Sequence, residues 1–165
     1  MNAKSILWHD SNYASALLSP DGNFLLVNGN TVYSRGSGNW NVLVGTLASQ
    51  NVLVGFQFRE GTNLLYARDS FSGLIYSYDL TSPVNGSGQL TSTPISIPPC
   101  IDFTYDRASG YLCVRTGTDY GGDLHLYDTS TFTEQSFIKD IYWPAASVFY
   151  TKNALFHQQG YVLPN

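Results

Sequence analysis

Short apolar runs alternate along the chain with polar clusters, at a spacing too tight for helices. Ala16-Leu17-Leu18 is followed by Ser19-Pro20-Asp21-Gly22-Asn23, then by Phe24-Leu25-Leu26-Val27, and after another break by Thr31-Val32-Tyr33. The same order returns as Phe56-Gln57-Phe58, Arg59 to Asn63, Leu64-Leu65-Tyr66 and Leu74 to Asp79. It returns again as Ile101 to Tyr105, Asp106 to Gly110, Tyr111 to Val114 and Leu124 to Asp128, and finally as Val148-Phe149-Tyr150, Thr151 to Ala154, Leu155-Phe156-His157 and Tyr161-Val162-Leu163. Runs of leucine, β-branched and aromatic residues bounded by Gly, Pro, Asn and Asp read as strands joined by turns. Each segment therefore predicts strand, turn, strand, loop, strand. The gaps Trp40 to Leu47, Gln89 to Ile97 and Thr131 to Ile138 each offer a fourth strand.

Pro20, Glu60, Arg107 and Lys152 occupy matching places in the first turn of each segment, at steps of 40, 47 and 45 residues. That period suits one four-stranded unit per repeat and is too long for a solenoid coil. The expectation is an all-β fold, a small β-propeller of about four four-stranded blades forming a single domain over residues 1–165. The blades fall near 13–48, 51–98, 100–141, and 146–165 plus 1–10. The last segment stops after its third strand, and Lys4 to His9 precedes the first as the earlier outer strands precede theirs. The N-terminal strand is thus expected to close the fourth blade. Closure within one chain gives a small monomeric ring, and exchange of that strand between two chains gives a dimer with two-fold symmetry.

The phrases Ser19 to Val27, Leu74 to Leu80 and Leu124 to Thr129 resemble blades of the WD40/YVTN-like β-propeller superfamily. The Trp-Asp and Gly-His pairs of WD40 repeats do not occur in this sequence. What the resemblance implies is a scaffold rather than a chemistry.

Composition changes the picture in one respect. Charged residues make up 12% of the chain, with three Lys and two Glu, while Ser, Thr, Asn and Gly supply 58 residues. The surface must be wetted mainly by neutral polar groups. A net charge of −4 without a Lys/Arg cluster argues against nucleic acid as a partner, since that affinity comes largely from neutralised phosphates. Ile6 to Trp8 is far shorter than the apolar core of a signal peptide, and no run approaches the roughly 20 apolar residues of a membrane span. Synthesis and folding in the cytoplasm are expected. Cys100 and Cys113 read as small buried hydrophobes: a hairpin about Asp106 to Gly110 sets Cys113 opposite Phe103 and Cys100 near Thr116, poorly placed for a disulfide.

Candidate chemistry is sparse. His9, His125 and His157 sit in no recognisable catalytic motif, and His125, between Leu124 and Leu126, is expected to face solvent or a neighbouring blade. Asp119 and Asp123 flank a Gly-rich loop with too few oxygens for calcium. Asp21 and Asp106 read as turn residues that bond their own backbone, and Asp79 and Asp128 end third strands in matching positions. Asn85-Gly86-Ser87-Gly88 and Gly36-Ser37-Gly38 precede no helix, so they are hairpin loops rather than phosphate cradles. Trp8 and Trp40 are expected to pack between blades.

Loops carry binding while the strands hold them rigid. On the face that gathers the loops after second strands and those entering first strands, the candidates for contact with a partner are Tyr13, Arg68, Asp69, Phe71, Arg115, Tyr120, Trp143 and His157. No catalytic residue, metal or cofactor is expected. The function this suggests is a non-enzymatic structural and interaction module, a bacteriophage virion component such as a tail, nozzle or decoration protein docking on other protein subunits. The alternatives are a lectin-like module that binds glycan and an intracellular WD40-like scaffold. A lactonase of the YVTN-like kind ranks last, because those chains are about twice as long and no convergent His/Glu set is present.

Overall fold

The structure, a computed structural model, describes residues 16–37, 39–107, 109–118, 121–142, 148–151, 154–157 and 162–164, with side chains described as far as residue 136. Among these residues the protein is all-β: sixteen strands in four sheets, without a helix.

The first sheet is an antiparallel meander of β1 (Ala16–Leu18), β2 (Phe24–Val27), β3 (Thr31–Ser34) and β4 (Val42–Leu47). The second is formed by β5 (Leu53–Phe58), β6 (Leu64–Asp69), β7 (Ile75–Asp79) and β9 (Ser92–Pro94). Between β7 and β9 lies β8 (Gln89–Leu90), which belongs to the first sheet. The third contains β10 (Asp102–Asp106), β11 (Tyr111–Arg115), β12 (Gly121–Asp128) and β13 (Glu134–Tyr142). In the fourth are β14 (Val148–Thr151), β15 (Ala154–His157) and β16 (Val162–Pro164). Lys4 to His9, the strand expected to complete the fourth unit, lies outside the described residues.

Turn chemistry explains why the hairpins close where they do. In the first, the Asp21 carboxylate accepts from Ser19 Oγ (2.6 Å) and from Asn23 N (3.0 Å), while Phe24 N donates to Ser19 Oγ (2.8 Å). These bonds hold the Asp21 carboxyl below its ordinary value against the opposing effect of burial. The second hairpin uses Thr62, whose hydroxyl donates to Arg59 O and accepts from Leu64 N. In the third, Asp106 accepts from Ser109 N (3.2 Å) and Oγ (2.6 Å). Asp79 and Asp128, at the ends of β7 and β12, make the same Asx turn, accepting from Thr81 and Ser130 respectively through both backbone and hydroxyl.

Three expectations need correction. Asp106 pairs with Tyr111, so the third hairpin loop holds four residues rather than five, and the register moves by one: Cys113 faces Thr104, and Phe103 faces Val114. The cause is the Asp106 carbonyl, which accepts from Gly110 N (2.9 Å) and tightens the turn. Both cysteines are free and buried. The segment Gln89 to Ile97 is not one strand. Gln89 and Leu90 run parallel to Thr46 and Leu47, with Thr46 N donating to Gly88 O and Ala48 N to Leu90 O, before the chain turns to pair Ser92 to Pro94 with β7. Pro94, which has no N–H to give, is tolerated because β9 is an edge. Trp40 does not pack between sheets. It precedes β4, is 38% exposed, and lies under the Arg35 guanidinium at 5.6 Å from the ring centre.

The first three sheets stack face to face. Leu26, Val32, Leu47, Leu65, Ala67, Tyr78 and Leu90 form one buried cluster between the first and second sheets. Tyr66, Ile75, Ile97, Phe103, Leu112, Val114 and Tyr127 form another between the second and third. The first strands are neighbours as well, β10 lying against β5 on one side and β14 on the other. β5 and β10 approach so closely that a Cβ on Gly55, which has φ +64°, would sit 3.2 Å from the Phe103 ring.

Replacing fully buried Leu65 by Ala is expected to destabilise the protein by about 2–5 kcal/mol, through lost burial plus a cavity. The same change at Leu43, 59% exposed, is expected to stay within about 0.5 kcal/mol. Denaturant unfolding of the two variants measures both.

Candidate docking site

The turn from Asp69 to Gly73, joining β6 to β7, is the most tightly organised feature on the loop side of the second sheet. Asp69 is only 3% exposed, and its Oδ1 accepts from Phe71 N (2.9 Å) and Ser72 N (2.8 Å) while Oδ2 accepts from Asn51 Nδ2 (2.9 Å). The Ser72 N–H is the main cause holding the Asp69 carboxyl below its ordinary value, with Asn51 and Phe71 adding to it against the effect of burial. Ser70 N donates to Val52 O and Gly73 N to Asp69 O, so the backbone of the turn is bonded along its length. Gly73 is required twice over: its φ is +73°, and a Cβ there would lie 2.8 Å from Cys100 O. Cys100 N in turn donates to Gly73 O (2.8 Å), which ties the turn to the entrance of the third sheet.

Phe71 projects from the middle of this turn and is 89% exposed. Two recesses include residues of the turn, and Phe71 lines one of them. One, of about 390 Å³, is lined by Arg68, Ser70, Phe71, Ser72, Gly73, Pro99, Cys100, Ile101 and Gly117. The other, of about 500 Å³, lies where the first and second sheets meet and has Gln50, Asn51, Asp69, Tyr76, Gln89 and Ser92 among its walls.

Of the contact residues expected from sequence, Arg68, Asp69 and Phe71 come together here. Asp69 is spent on its own turn, so its part is to position Phe71. Arg68 donates from Nη1 to Cys100 O (3.3 Å). Arg115 lies at the equivalent end of the second strand of the next sheet, where it is 7% exposed, and its Nε and Nη1 have no hydrogen-bond partner. Both guanidinium groups act on the Cys100 thiol and the Asp102 carboxyl. Burial outweighs them at each: it pushes the thiol up to about 12, so Cys100 is not a nucleophile at neutral pH, and it raises the Asp102 carboxyl despite the bond from Phe103 N. Tyr13, Tyr120 and Trp143 lie outside the described residues. His157 ends β15, with its side chain outside them.

Sequence reasoning missed one arrangement. Thr116, His125 and Glu134 lie at successive intervals of nine residues, and the antiparallel strands β11 to β13 bring them into line, Thr116 just beyond the end of β11. Thr116 Oγ1 is 3.1 Å from His125 Nε2, and His125 Nδ1 is 2.8 Å from Glu134 Oε1. The imidazole also stacks on Tyr127 at 6.1 Å. His125 is therefore held in a polar network rather than simply facing solvent. A hydroxyl, an imidazole and a carboxylate in this order are the parts of an activated nucleophile. Neither recess is lined by any of the three. Among the described residues, no group of His, Cys, Asp and Glu is arranged to hold a metal ion, and no helix is long and apolar enough to cross a membrane.

Asp69→Ala leaves the Phe71 and Ser72 N–H groups without their acceptor and is expected to cost about 1–3 kcal/mol at neutral pH. A carboxyl held below its ordinary value of 3.8 stabilises the fold above that pH, and this contribution is lost as pH falls through the lower, folded value. The gap between wild type and variant should therefore shrink on acidification below about pH 4, as read by urea unfolding across a pH series.

No family model matches the chain, and no curated protein matches it. Solved structures do. Kuenenia stuttgartiensis hydrazine synthase is similar over 89% of this chain and 48% of its own, with a TM-score of 0.55 and 12% identity. The computationally designed Ika8 protein is similar over 90% of this chain and 44% of its own, with a TM-score of 0.57 and 15% identity. The dihydro-heme d1 dehydrogenase NirN, solved in complex with DHE, is similar over 90% of this chain and 31% of its own, with a TM-score of 0.52 and 18% identity. The chain thus spans less than half the length of each of these proteins, and at such identities the likeness is one of fold.

Proposed function

We propose that the four sheets are successive blades of a β-propeller and that the chain serves as a structural and interaction module, docking on another protein subunit through the turn that carries Phe71. The carrying observation is Phe71 itself, a large apolar side chain held out on a turn fixed by the Asp69 carboxylate. A rigid exposed aromatic loses little conformational entropy on binding and fits the centre of a protein interface, where aromatic residues and Arg are enriched. The neighbouring Arg68 supports the same reading. Face-to-face stacking of consecutive sheets and the side-by-side first strands support the propeller arrangement. The charge-poor surface, rich in Ser, Thr, Asn and Gly, supports a place in an assembled particle such as a virion.

A photo-crosslinking residue at position 71 is expected to yield one discrete protein adduct in the native source. The same residue at exposed Val84 is expected to yield none. Equal labelling at both positions, or none at 71, would count against docking through this turn.

One observation favours a second reading, binding of glycan. The 500 Å³ recess presents the amides of Gln50, Asn51 and Gln89 with the hydroxyls of Ser72, Ser92 and Tyr76, and no Lys or Arg lines it. Amides, hydroxyls and the Asp69 carboxylate beside an aromatic ring suit a sugar. On a glycan array, Gln50→Ala and Tyr76→Ala should then abolish any signal while leaving the fold unchanged by circular dichroism. An array blank for the wild type removes the reading.

A further inference from the structure

One register row recurs in each of the first three sheets, beside the turn of the first hairpin. In the second sheet Phe58, Leu65 and Tyr78 are cross-strand partners, and in the third Tyr105, Leu112 and Tyr127. The first sheet has Leu18, Leu25 and Tyr33 in the same places, and Leu43 extends the row onto β4. Directly opposed residues of neighbouring strands share a face of the sheet. In the second and third sheets that face is turned to the preceding sheet: Leu65 and Tyr78 belong to the cluster shared with the first sheet, Leu112 and Tyr127 to the one shared with the second. All four are at most 4% exposed.

In the first sheet this row has no preceding sheet to meet. Leu17, Leu26 and Val32, the adjacent row, pack toward the second sheet, so strand alternation puts Leu18, Leu25 and Tyr33 on the far face. That face is apolar and incompletely covered: Leu18, Leu25 and Tyr33 are half-buried, and Leu43 is 59% exposed. Among the described residues the fourth sheet lies against the third, β14 touching β10 and β11, and no contact of that extent joins it to the first.

The row itself says what covers it. Where it is buried, in the second and third sheets, the cover is another sheet of the same repeat, so the first sheet calls for one too. At the other end of the stack stands the fourth sheet. Its register rows Phe149, Phe156, Val162 and Tyr150, Leu155, Leu163 are adjacent, so each of its faces carries an apolar row. Length favours a second copy as the source of the cover. The likeness to hydrazine synthase and to Ika8 takes in 89% and 90% of this chain but 48% and 44% of theirs, so two copies approach one such protein in length.

We propose that a second copy of the chain covers this face, its fourth sheet stacking on the first sheet of its partner, and that the reciprocal contact closes a two-fold ring with four sheets from each copy. Tyr33 holds the place that Tyr78 holds in the second sheet, where the hydroxyl donates to Ala48 O just beyond β4 (2.7 Å). In the ring Tyr33 makes the same kind of bond to a backbone carbonyl of the partner copy. The proposal rests on the propeller arrangement and is independent of docking through Phe71, which projects from a turn and not from a sheet face.

Two measurements on the full chain test it. Sedimentation equilibrium gives the number of copies, and benzoylphenylalanine in place of Tyr33 gives the contact. The expected results are a mass of two chains and, on irradiation, a covalent product of twice the chain mass on a denaturing gel, with the linked peptide within residues 148–164. Leu25→Glu, which sets a charge at the centre of the row, is expected to give single chains with an unchanged circular dichroism spectrum. Should that variant not fold, the wild-type mass and the crosslink still decide. A wild-type mass of one chain, or of more than two, would overturn the proposal. So would a link from position 33 to residues 148–164 within one chain, which would leave the propeller arrangement standing as a ring of four sheets. A link to any other segment, or none, would overturn the proposal and count against the propeller arrangement as well.

Discussion

The second sheet has to be apolar on both faces, and the rest of the structure depends on this. Successive side chains of a strand point to opposite sides, so a sheet covered on one face alternates apolar with polar, whereas a sheet covered on both does not. In β6, Leu65, Tyr66 and Ala67 are consecutive and fully buried, Leu65 and Ala67 packing with the first sheet and Tyr66 with the third. The Tyr66 ring meets Tyr105 and Phe132 edge-on, each at 6.4 Å, and burial raises its hydroxyl against the pull of the Arg59 cation. Burial at roughly 25 cal/mol per Å² on two faces lets a four-stranded sheet with short edges hold its place.

That clamped strand also sets the position of the turn carrying Phe71. Asp69 is its last residue, and Arg68 the one before. A carboxylate fixed by a strand buried on both sides is a firm acceptor for the Phe71 and Ser72 amides, so the exposed aromatic inherits its rigidity from the core. The tie from Cys100 N to Gly73 O extends this to the third sheet, and the recess with Arg68 spans the seam between the two. Polar and charged side chains thus collect where loops of adjacent sheets meet, while the two buried clusters stay apolar apart from tyrosine and cysteine.

Much of this was legible in the sequence, for identifiable reasons. The apolar runs mark the strands because each is flanked by turn residues with a mechanism: Asp21, Asp79, Asp106 and Asp128 all bond their own backbone in the way their positions suggest. The register of the third hairpin was not legible, since a single carbonyl-to-amide bond across Asp106 and Gly110 decides between loops of four and five residues. Trp40 looked like a packing residue because it opens the run Trp40 to Leu47, but β4 begins only at Val42 and Trp40 finds Arg35 instead. Arg68 and Phe71 were visible as loop-end residues. The burial of Arg115 was not, because its place at a strand end marks it as a loop residue. Nor was the line of Thr116, His125 and Glu134, which needs the register of two hairpins at once.

The detour of β8 has a consequence for how the chain could be divided. Between β7 and β9 the polypeptide leaves its own sheet, lends Gln89 and Leu90 to the edge of the first, and returns. Leu90 is fully buried in the cluster shared by the first two sheets, and the strands approach so closely that a Cβ on Gly45 would meet Val84 at 2.6 Å and Gly88 O at 3.0 Å. The first repeat therefore borrows its outermost strand from the second. A cut in the sequence between them would free neither: each half would keep an apolar edge whose cover had gone with the other. The repeat seen in the sequence is therefore shorter than a stretch of chain that could open by itself.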